Sequence, residues 1–300
     1  MTAIRVATYN IYLGAELSPL VLLEPGKLDE HAQTLRATLR RTHFPSRARA
    51  IAKLLVRERI DLVGLQEVTT WTEAGEVFSD ALAELTDALE ELGAPYDVHA
   101  FNRSFGGSAK SGTLDMSLTG GCAILRRRDS AATVVGESVA VFDATMTLPP
   151  SPEVEIAVTR GWSRVDLDVD GRPLTLVNTH TEAYDDDIRD AQREQMVAGL
   201  GDGPTVVVGD FNALPDDVGM PKEYADAWLA AGNDPAGGLT WGQAPDLSNP
   251  ENTASLRIDF VFVRDAEVTG CSVVGFDPAD RTADGVWPSD HAGVVAEILV

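Results

Sequence analysis

The stretch VVVGDFNALP, from Val206 to Pro215, brings a run of β-branched residues to an end at a Gly-Asp pair. Three consecutive valines at strand length indicate a buried β-strand. Asp210 and Asn212 follow two positions apart, and both residue types favour a turn. A carboxylate and a carboxamide at the end of a buried strand also suit metal binding or catalysis. The stretch by itself leaves both interpretations open.

Similar apolar runs recur along the chain and predict the other strands. Two of them, SRVDLDV and PLTLVNTH, are joined by Asp170-Gly171, which predicts a β-hairpin. Helical patterns are fewer, and the predicted helices are Ser46–Arg59, Ser79–Leu92, Asp187–Leu200 and Lys222–Ala231. Hairpins with few helices favour two packed, mostly antiparallel β-sheets flanked by helices over a doubly wound nucleotide-binding sheet.

The chain shows neither an internal repeat nor a linker that would divide it. We therefore expect a single domain over residues 1–300, although this length is large for one domain. Two segments without a clear pattern, residues 13–45 and residues 102–120, are predicted to be long loops.

Charge limits the partners that this protein can bind. The 47 acidic and 24 basic residues give a net charge of −23, which disfavours long duplex nucleic acid and anionic membranes. No apolar run reaches the roughly 18 residues of a membrane helix, so we expect no membrane insertion. The chain opens on MTAIRVATYN, which alternates as a strand does, and we expect a cytoplasmic protein. No protein partner follows from the sequence.

Cysteine usage agrees with that location. Cys122 and Cys271 are far apart and stand in apolar, strand-like surroundings. Disulfides are rare in the cytosol, and buried free cysteines are common, so we expect two free thiols. No cysteine spacing typical of a zinc site is present.

Many apolar runs share one feature: a polar side chain suited to metal or phosphate chemistry stands at or near the end of the run. These side chains are Asn10, Glu67, Asn178, His180, Asp210, Asn212, Asp259, Asp290 and His291. Each alone has a structural explanation, such as a turn, a solvated charge or, for Asp259, a pair with Arg257. Together they favour one convergent cluster, since polar groups at the edge of a buried sheet are costly unless they are paired or coordinate an ion.

Oxygen ligands without cysteine indicate a hard cation. Mg²⁺ commonly takes one or two carboxylates and keeps water molecules for its substrate. Glu67 is the first candidate ligand, and Asn10 and Asp290 are candidate helpers. The cofactor that these residues predict is Mg²⁺, for which Mn²⁺ is the expected substitute.

The histidines supply the candidate acid–base groups. Asp259 is expected to orient His291 as a general base. His180 is expected to act either as the general acid or as a cation that binds phosphate. Asp210 and Asn212 are expected to position the attacking water and the oxygens of the transition state.

These residues stand in the motifs TYNI, LQEV, NTH, GDFN, RIDFVF and SDH, in this order between residues 7 and 291. In this combination the sequence resembles the endonuclease/exonuclease/phosphatase superfamily, which has the pancreatic deoxyribonuclease-like fold. The resemblance implies a four-layer α/β sandwich, a Mg²⁺-dependent phosphoesterase and the residue roles given above. It also implies that Arg160, in an Arg-Gly-Trp segment, contacts the substrate phosphate, and we expect Asn178 to contribute to substrate binding.

The superfamily cleaves DNA, RNA, phospholipid headgroups, inositol phosphates and nucleotide cofactors, so the resemblance does not choose the substrate. Its abasic-site nucleases carry Tyr where this chain has His180, which favours the branch of pancreatic-type deoxyribonucleases and sphingomyelinases. We expect hydrolysis of a phosphodiester, or a phosphomonoester, in a small or compact substrate such as a headgroup or a nucleotide. A nuclease for short or single-stranded nucleic acid is the alternative. A non-catalytic binding module on the same fold is the least favoured hypothesis.

Two features beside the motifs leave alternatives open. Arg36, Arg40 and their basic neighbours up to Arg49 form either a solvated helix face or a rim that attracts a phosphorylated ligand. Four tryptophans stand close to the motifs and either pack in the core or line the mouth of the site, where they would stack on a substrate. These tryptophans are Trp71, Trp162, Trp241 and Trp287.

Overall fold

The structure is a computed structural model that describes residues 1–18, 27–111, 114–147 and 154–300. Its first sheet has the strand order β13-β14-β1-β2-β5-β4-β7, with β3 paired to β2. The strands of this sheet are β1 (Ala3–Asn10), β2 (Leu62–Glu73), β3 (Glu76–Asp80), β4 (Tyr96–Ser111), β5 (Leu114–Arg127), β7 (Val154–Val158), β13 (Glu267–Val274) and β14 (Gly293–Leu299).

The second sheet has the strand order β11-β12-β10-β9-β8-β6. Its strands are β6 (Ala132–Val141), β8 (Gly161–Val169), β9 (Arg172–His180), β10 (Thr205–Asp210), β11 (Ala225–Asp226) and β12 (Asp259–Arg264). Both sheets are mostly antiparallel, as expected. Each contains one parallel pair, β1 with β2 in the first sheet and β9 with β10 in the second.

Four longer helices flank the two sheets, and one short helix contributes Ala227 to the core between them. The helices are α1 (Leu28–Arg41), α2 (Phe44–Arg57), α3 (Ala81–Glu91), α4 (Asp186–Gly199) and the short α5 (Ala227–Ala230). Asp80 and Asp185 cap α3 and α4, because each side chain accepts a hydrogen bond from a backbone N–H in the first turn. Helices α2, α3 and α4 begin and end within two residues of their predicted bounds, whereas the helix predicted over Lys222–Ala231 is confined to α5.

Buried side chains form the four predicted layers. Ile51 of α2 and Leu85 of α3 pack on the outer face of the first sheet. Met196 of α4 packs on the outer face of the second sheet, in a cluster that includes Phe262. Between the sheets lies a core of Val, Ile, Leu and Ala side chains, among them Val6, Leu62, Ile124, Leu176 and Val208. The expected four-layer α/β sandwich is therefore confirmed.

The hairpin predicted from the sequence is confirmed, whereas the two predicted long loops are largely wrong. Strands β8 and β9 meet at Asp170-Gly171, where both residues have positive φ, 52° and 83°, as a two-residue hairpin turn requires. The predicted loop over residues 13–45 instead contains α1, and the one over 102–120 belongs largely to the β4–β5 hairpin. Parts of both segments, residues 19–26 and 112–113, lie outside the described residues.

Among the residues that the structure describes, no helix is long and apolar enough to span a membrane. Both cysteines are free, as expected, with Cys122 buried and Cys271 half-buried.

Candidate active site

Strand register brings the polar strand ends to one edge of the sandwich. In the second sheet Asp210 pairs with His180 of β9 on one side and with Asp259 of β12 on the other. In the first sheet Asn10 closes β1 beside Gln66 of β2. The two sheets then bring Asn10 into contact with Asp210, although 200 positions separate them in the sequence.

One carboxylate oxygen, Asp210 Oδ2, is the centre of the cluster. It accepts a hydrogen bond from Asn10 Nδ2 at 3.0 Å and lies 3.5 Å from His180 Nε2 and 3.7 Å from His291 Nε2. Burial raises the pKa of Asp210, and the Asp259 carboxylate adds to that rise. Both imidazoles therefore meet at a carboxylate that is able to hold a proton.

The turn after β10 fixes this carboxylate. Asn212 has a positive φ of 47°, and its backbone N–H donates to Asp210 Oδ1 at 3.0 Å. Its side-chain Nδ2 donates to the carbonyl of Thr181, just after β9, at 3.0 Å. GDFN is thus both a turn and part of the site, because the turn aims Asp210 and Asn212 at the same edge.

His291 is oriented by Asp259. Its Nδ1 lies 2.9 Å from Asp259 Oδ2, and its backbone N–H donates to Ser289 Oγ at 3.1 Å. Burial alone would lower the pKa of His291, but the carboxylates of Asp259 and Asp210 outweigh it and hold that pKa well above its usual range. The Asp259 carboxylate fixes Nδ1 of the His291 ring, so the other ring nitrogen, Nε2, faces Asp210.

His180 has a different environment. Arg160 Nη1 lies 3.1 Å from its Nδ1 and 3.4 Å from its Nε2. Burial, together with the positive charge of Arg160, keeps the pKa of His180 well below its usual range. This environment disfavours the protonated imidazole, and the guanidinium of Arg160 supplies positive charge on this side of the site.

Glu67 reaches the site through a break in strand register. The β2–β5 pairing shifts between Leu65 and Val68, and Glu67 within that bulge has a positive φ of 56°. Its Oε1 accepts from Asn10 Nδ2 at 3.1 Å, and its Oε2 accepts the backbone N–H of Leu13 at 2.7 Å. Bulges and strained backbone are frequent at functional sites, where they redirect a side chain.

Asp290 completes the acidic side of the cluster. The preceding residue, Ser289, donates its hydroxyl to the carbonyl of Asn10 at 2.7 Å, which holds this segment against β1. Burial raises the pKa of Asp290; His291 opposes that rise and Glu67 reinforces it. Carboxylates that repel each other at a pocket floor fit a hard divalent cation, which removes the repulsion.

Asn178, which was expected to bind substrate, lies between the two sheets. It is fully buried, and its Nδ2 donates to the carbonyls of Leu65 at 2.9 Å and Ala123 at 3.0 Å. Its Oδ1 accepts from Gln66 Nε2 at 2.6 Å. Both ends of the amide are thus occupied in joining the second sheet to the first. A Cβ at Gly64 would lie 2.6 Å from the Asn178 amide carbon, so glycine leaves the space for this contact.

Arg47, which the sequence placed in the basic segment as part of a solvated helix face or a ligand-attracting rim, is only 1% exposed and fits neither alternative. Its guanidinium donates to the carbonyls of Thr42, Ile11, Tyr12 and Pro288 at 2.6 to 2.9 Å. It thereby ties helix α2 to the segments that follow Asn10 and precede Asp290. Arg47 occupies the same helix face as Ile51 and Leu54, a spacing that signals burial. Part of the basic segment is therefore structural.

The cluster forms the floor of a cavity of about 720 Å³. Of the four tryptophans near the motifs only Trp241 lines it, with 37% of its surface exposed. The other three are engaged elsewhere. Trp71 and Trp287 are buried, and Trp162 packs against Phe142 with ring centroids 5.1 Å apart. Tyr184, 62% exposed, also lines the cavity and was not expected from the sequence.

Two stacked sheets with an imidazole–carboxylate cluster at a common edge define the class of protein, an α/β sandwich with a candidate hydrolytic site. A model of the Endonuclease/Exonuclease/phosphatase family matches residues 7–291. The chain therefore belongs to this family, whose members are hydrolases that act on phosphoester bonds. No curated protein matches the sequence.

Solved structures share the fold at low sequence identity. An endonuclease/exonuclease/phosphatase protein from Bacteroides vulgatus is 17% identical over 100% of each chain, with a TM-score of 0.64. D. rerio TDP2, complexed with a single-strand DNA product, is 15% identical over 100% of each chain, with a TM-score of 0.61. A mannosyl-6-phosphatase from Bacteroides thetaiotaomicron is 20% identical over 99% of this chain and 100% of its own, with a TM-score of 0.59.

Proposed function

We propose that this protein is a Mg²⁺-dependent phosphoesterase that hydrolyses a phosphodiester, or a phosphomonoester, in a small or compact substrate. The observation that carries the proposal is the approach of His180 and His291 to one oxygen of Asp210, at 3.5 and 3.7 Å, on a pocket floor that also holds Glu67. Family membership supports phosphoester hydrolysis. The free cysteines are consistent with the expected cytoplasmic location.

Glu67 and Asp290, assisted by Asn10, are the residues that would hold the metal. When bound there, Mg²⁺ would polarise a phosphoryl oxygen and neutralise developing charge, and Mn²⁺ is expected to replace it. The described residues offer another group, Asp210, Asp259 and His291, whose ligand atoms lie within 4.8 Å of one another. We favour Glu67 and Asp290, because His291 Nδ1 and Asp259 Oδ2 already bind each other.

The protein's own groups would then move the proton and orient the phosphate. The proton of the attacking water would pass to the chain formed by Asp210, His291 and Asp259, in which Asp210 Oδ2 lies 3.7 Å from His291 Nε2 and His291 Nδ1 lies 2.9 Å from Asp259 Oδ2. Arg160 beside His180 binds a phosphate oxygen as the cation of the pocket. Asn212, fixed by its turn, orients the water or a phosphoryl oxygen.

Hydrolysis of bis(p-nitrophenyl) phosphate and p-nitrophenyl phosphate, with Mg²⁺, Mn²⁺ or EDTA, tests the proposal. We expect metal-dependent release of p-nitrophenolate, abolished by EDTA. Glu67→Gln and His291→Ala should each lower kcat/KM by about 10²-fold or more. The rate ratio of the two esters shows whether a diester or a monoester is preferred.

Glu76→Gln is the matched control, because Glu76 is an exposed strand glutamate outside the pocket. It should leave the rate unchanged. Folded Glu67→Gln or His291→Ala protein with wild-type turnover, or turnover that persists in EDTA, would refute the assigned site. A folded, metal-binding protein without turnover of any phosphoester would favour a non-catalytic binding module.

A nuclease for short or single-stranded nucleic acid is the second candidate. Trp241 and Tyr184 expose aromatic surface in the pocket lining, and such surface stacks on bases. The single-strand DNA product bound to D. rerio TDP2 supports this candidate by fold analogy alone. Cleavage of a short single-stranded oligonucleotide faster than of the aryl diester would select it.

A further inference from the structure

We propose that the pocket binds a phosphoester with one phosphate and an apolar alkyl or aryl substituent. The substituent would lie on a wall formed by Leu17, Phe105, Ile156 and Val158, which we call the apolar wall. This inference rests on the proposed function, which places the phosphate at the floor of the same pocket.

The charges of the pocket favour a single phosphate. Among the described lining residues, Arg160 is the only lysine or arginine. Glu16 also lies in the lining, and Glu67, Asp210 and Asp290 make the floor acidic. A second phosphate beyond the reach of Arg160, His291 and the proposed Mg²⁺ would meet no further cationic side chain among the described lining residues, which is unfavourable. A polyphosphate or a strand with several bound phosphates therefore fits this pocket poorly.

Strand register builds the apolar wall. Phe105 of β4 pairs with Val158 of β7, and Ile156 lies two residues from Val158, so all three side chains project from one face of the first sheet. Phe105, Ile156 and Leu17 are only partly buried, and they pack against a core cluster that includes Leu35 and Trp71. The surface that this packing leaves free lines the pocket.

Apolar surface continues behind the wall. Leu17 and Ile156 also line a second cavity. The remaining side chains around that cavity are apolar, apart from one serine, and include Leu35, Trp71 and Met116. An alkyl or aryl group that binds on the apolar wall would leave water and contact only apolar side chains. A sugar or a second phosphate in the same place would lose its hydrogen bonds to water.

Calorimetric titration of the full chain with methyl phosphate, hexyl phosphate and a dinucleotide, each in Mg²⁺, tests the inference without relying on turnover. The phosphate is common to the two alkyl ligands, and only the apolar area differs. If about half of the added methylene surface is buried, hexyl phosphate should bind about 30-fold more tightly than methyl phosphate. The dinucleotide should bind less tightly than hexyl phosphate.

Ile156→Val and Ile156→Thr form an isosteric pair that separates apolar contact from shape. The valine variant should keep most of the preference for hexyl phosphate, and the threonine variant should reduce it about three- to tenfold. Val139→Thr is the control for a valine-to-threonine change elsewhere, because Val139 is 51% exposed on β6 and lies outside the pocket. It should leave the preference unchanged.

The outcomes separate this inference from the proposed function. Equal binding of methyl and hexyl phosphate, tighter binding of the dinucleotide, or equal preference in Ile156→Val and Ile156→Thr would overturn the inference. Absence of binding by both alkyl phosphates would overturn it as well. If hexyl phosphate is preferred but no phosphoester is hydrolysed, the inference is supported and the proposed phosphoesterase activity is refuted.

Discussion

Replacing Arg47 with methionine should destabilise the protein severely. The side chain is 1% exposed and makes four hydrogen bonds, all to backbone carbonyls, with lengths of 2.6, 2.7, 2.9 and 2.9 Å. Methionine has a similar length and fills part of the space, but it cannot donate to any of these carbonyls.

The magnitude follows from two opposing contributions. Hydrogen bonds from a charged donor contribute about 1.5–3 kcal/mol each. Burial of the guanidinium opposes them and lowers the pKa of Arg47 to about 10. A shift of that size corresponds to about 3 kcal/mol. The hydrogen bonds outweigh this cost, and we expect Arg47→Met to lower the free energy of unfolding by at least about 3 kcal/mol.

Urea unfolding followed by circular dichroism and tryptophan fluorescence measures this change. Arg49→Met is the matched control, because Arg49 lies on the same helix, is 61% exposed and makes a long ion pair of 3.9 Å with Glu91. It should change stability by less than about 0.5 kcal/mol. An Arg47→Met midpoint equal to wild type, or equal losses in both variants, would refute the reasoning.

Three further predictions concern the sheet contact, the catalytic pair and the thiols. Gly64→Ala should unfold at a clearly lower urea concentration, because its Cβ would lie 2.5 Å from Val208 Cγ2; an unchanged midpoint would contradict this packing. Asp259→Asn should lower kcat by roughly 10²-fold or more with little change in KM, measured by steady-state hydrolysis of the aryl diester, whereas an unchanged kcat would remove Asp259 from the mechanism. Burial raises the pKa of Cys122 and Cys271 to about 12, so the thiolate is disfavoured below that pH. Native protein at pH 8 should react only slowly with a disulfide reagent, and two thiols should appear on denaturation; rapid labelling of native protein would show that burial does not protect them.

Sequence patterns predicted those elements whose signals are local. Helices α2, α3 and α4 and the Asp170-Gly171 hairpin were found at nearly their observed bounds, because amphipathic spacing and turn residues act within a few positions. The first half of β5 was missed, since its Gly and polar residues weaken a strand pattern and only pairing with β2 and β4 makes it a strand. Helix α1 was missed because its buried residues, such as Ala32 and Leu35, are few.

By itself the sequence determined the family, the layered sheets and the residues that stand at strand ends, because residue type and alternation are local properties. Only the tertiary structure decided which of these residues meet. Asn178 and Asp210 both belong to β-strand ends with similar chemistry, yet one joins the sheets and the other lies between two histidines. That difference depends on register and on the stacking of β1 over β10, contacts between residues as much as 200 positions apart, which no local pattern encodes.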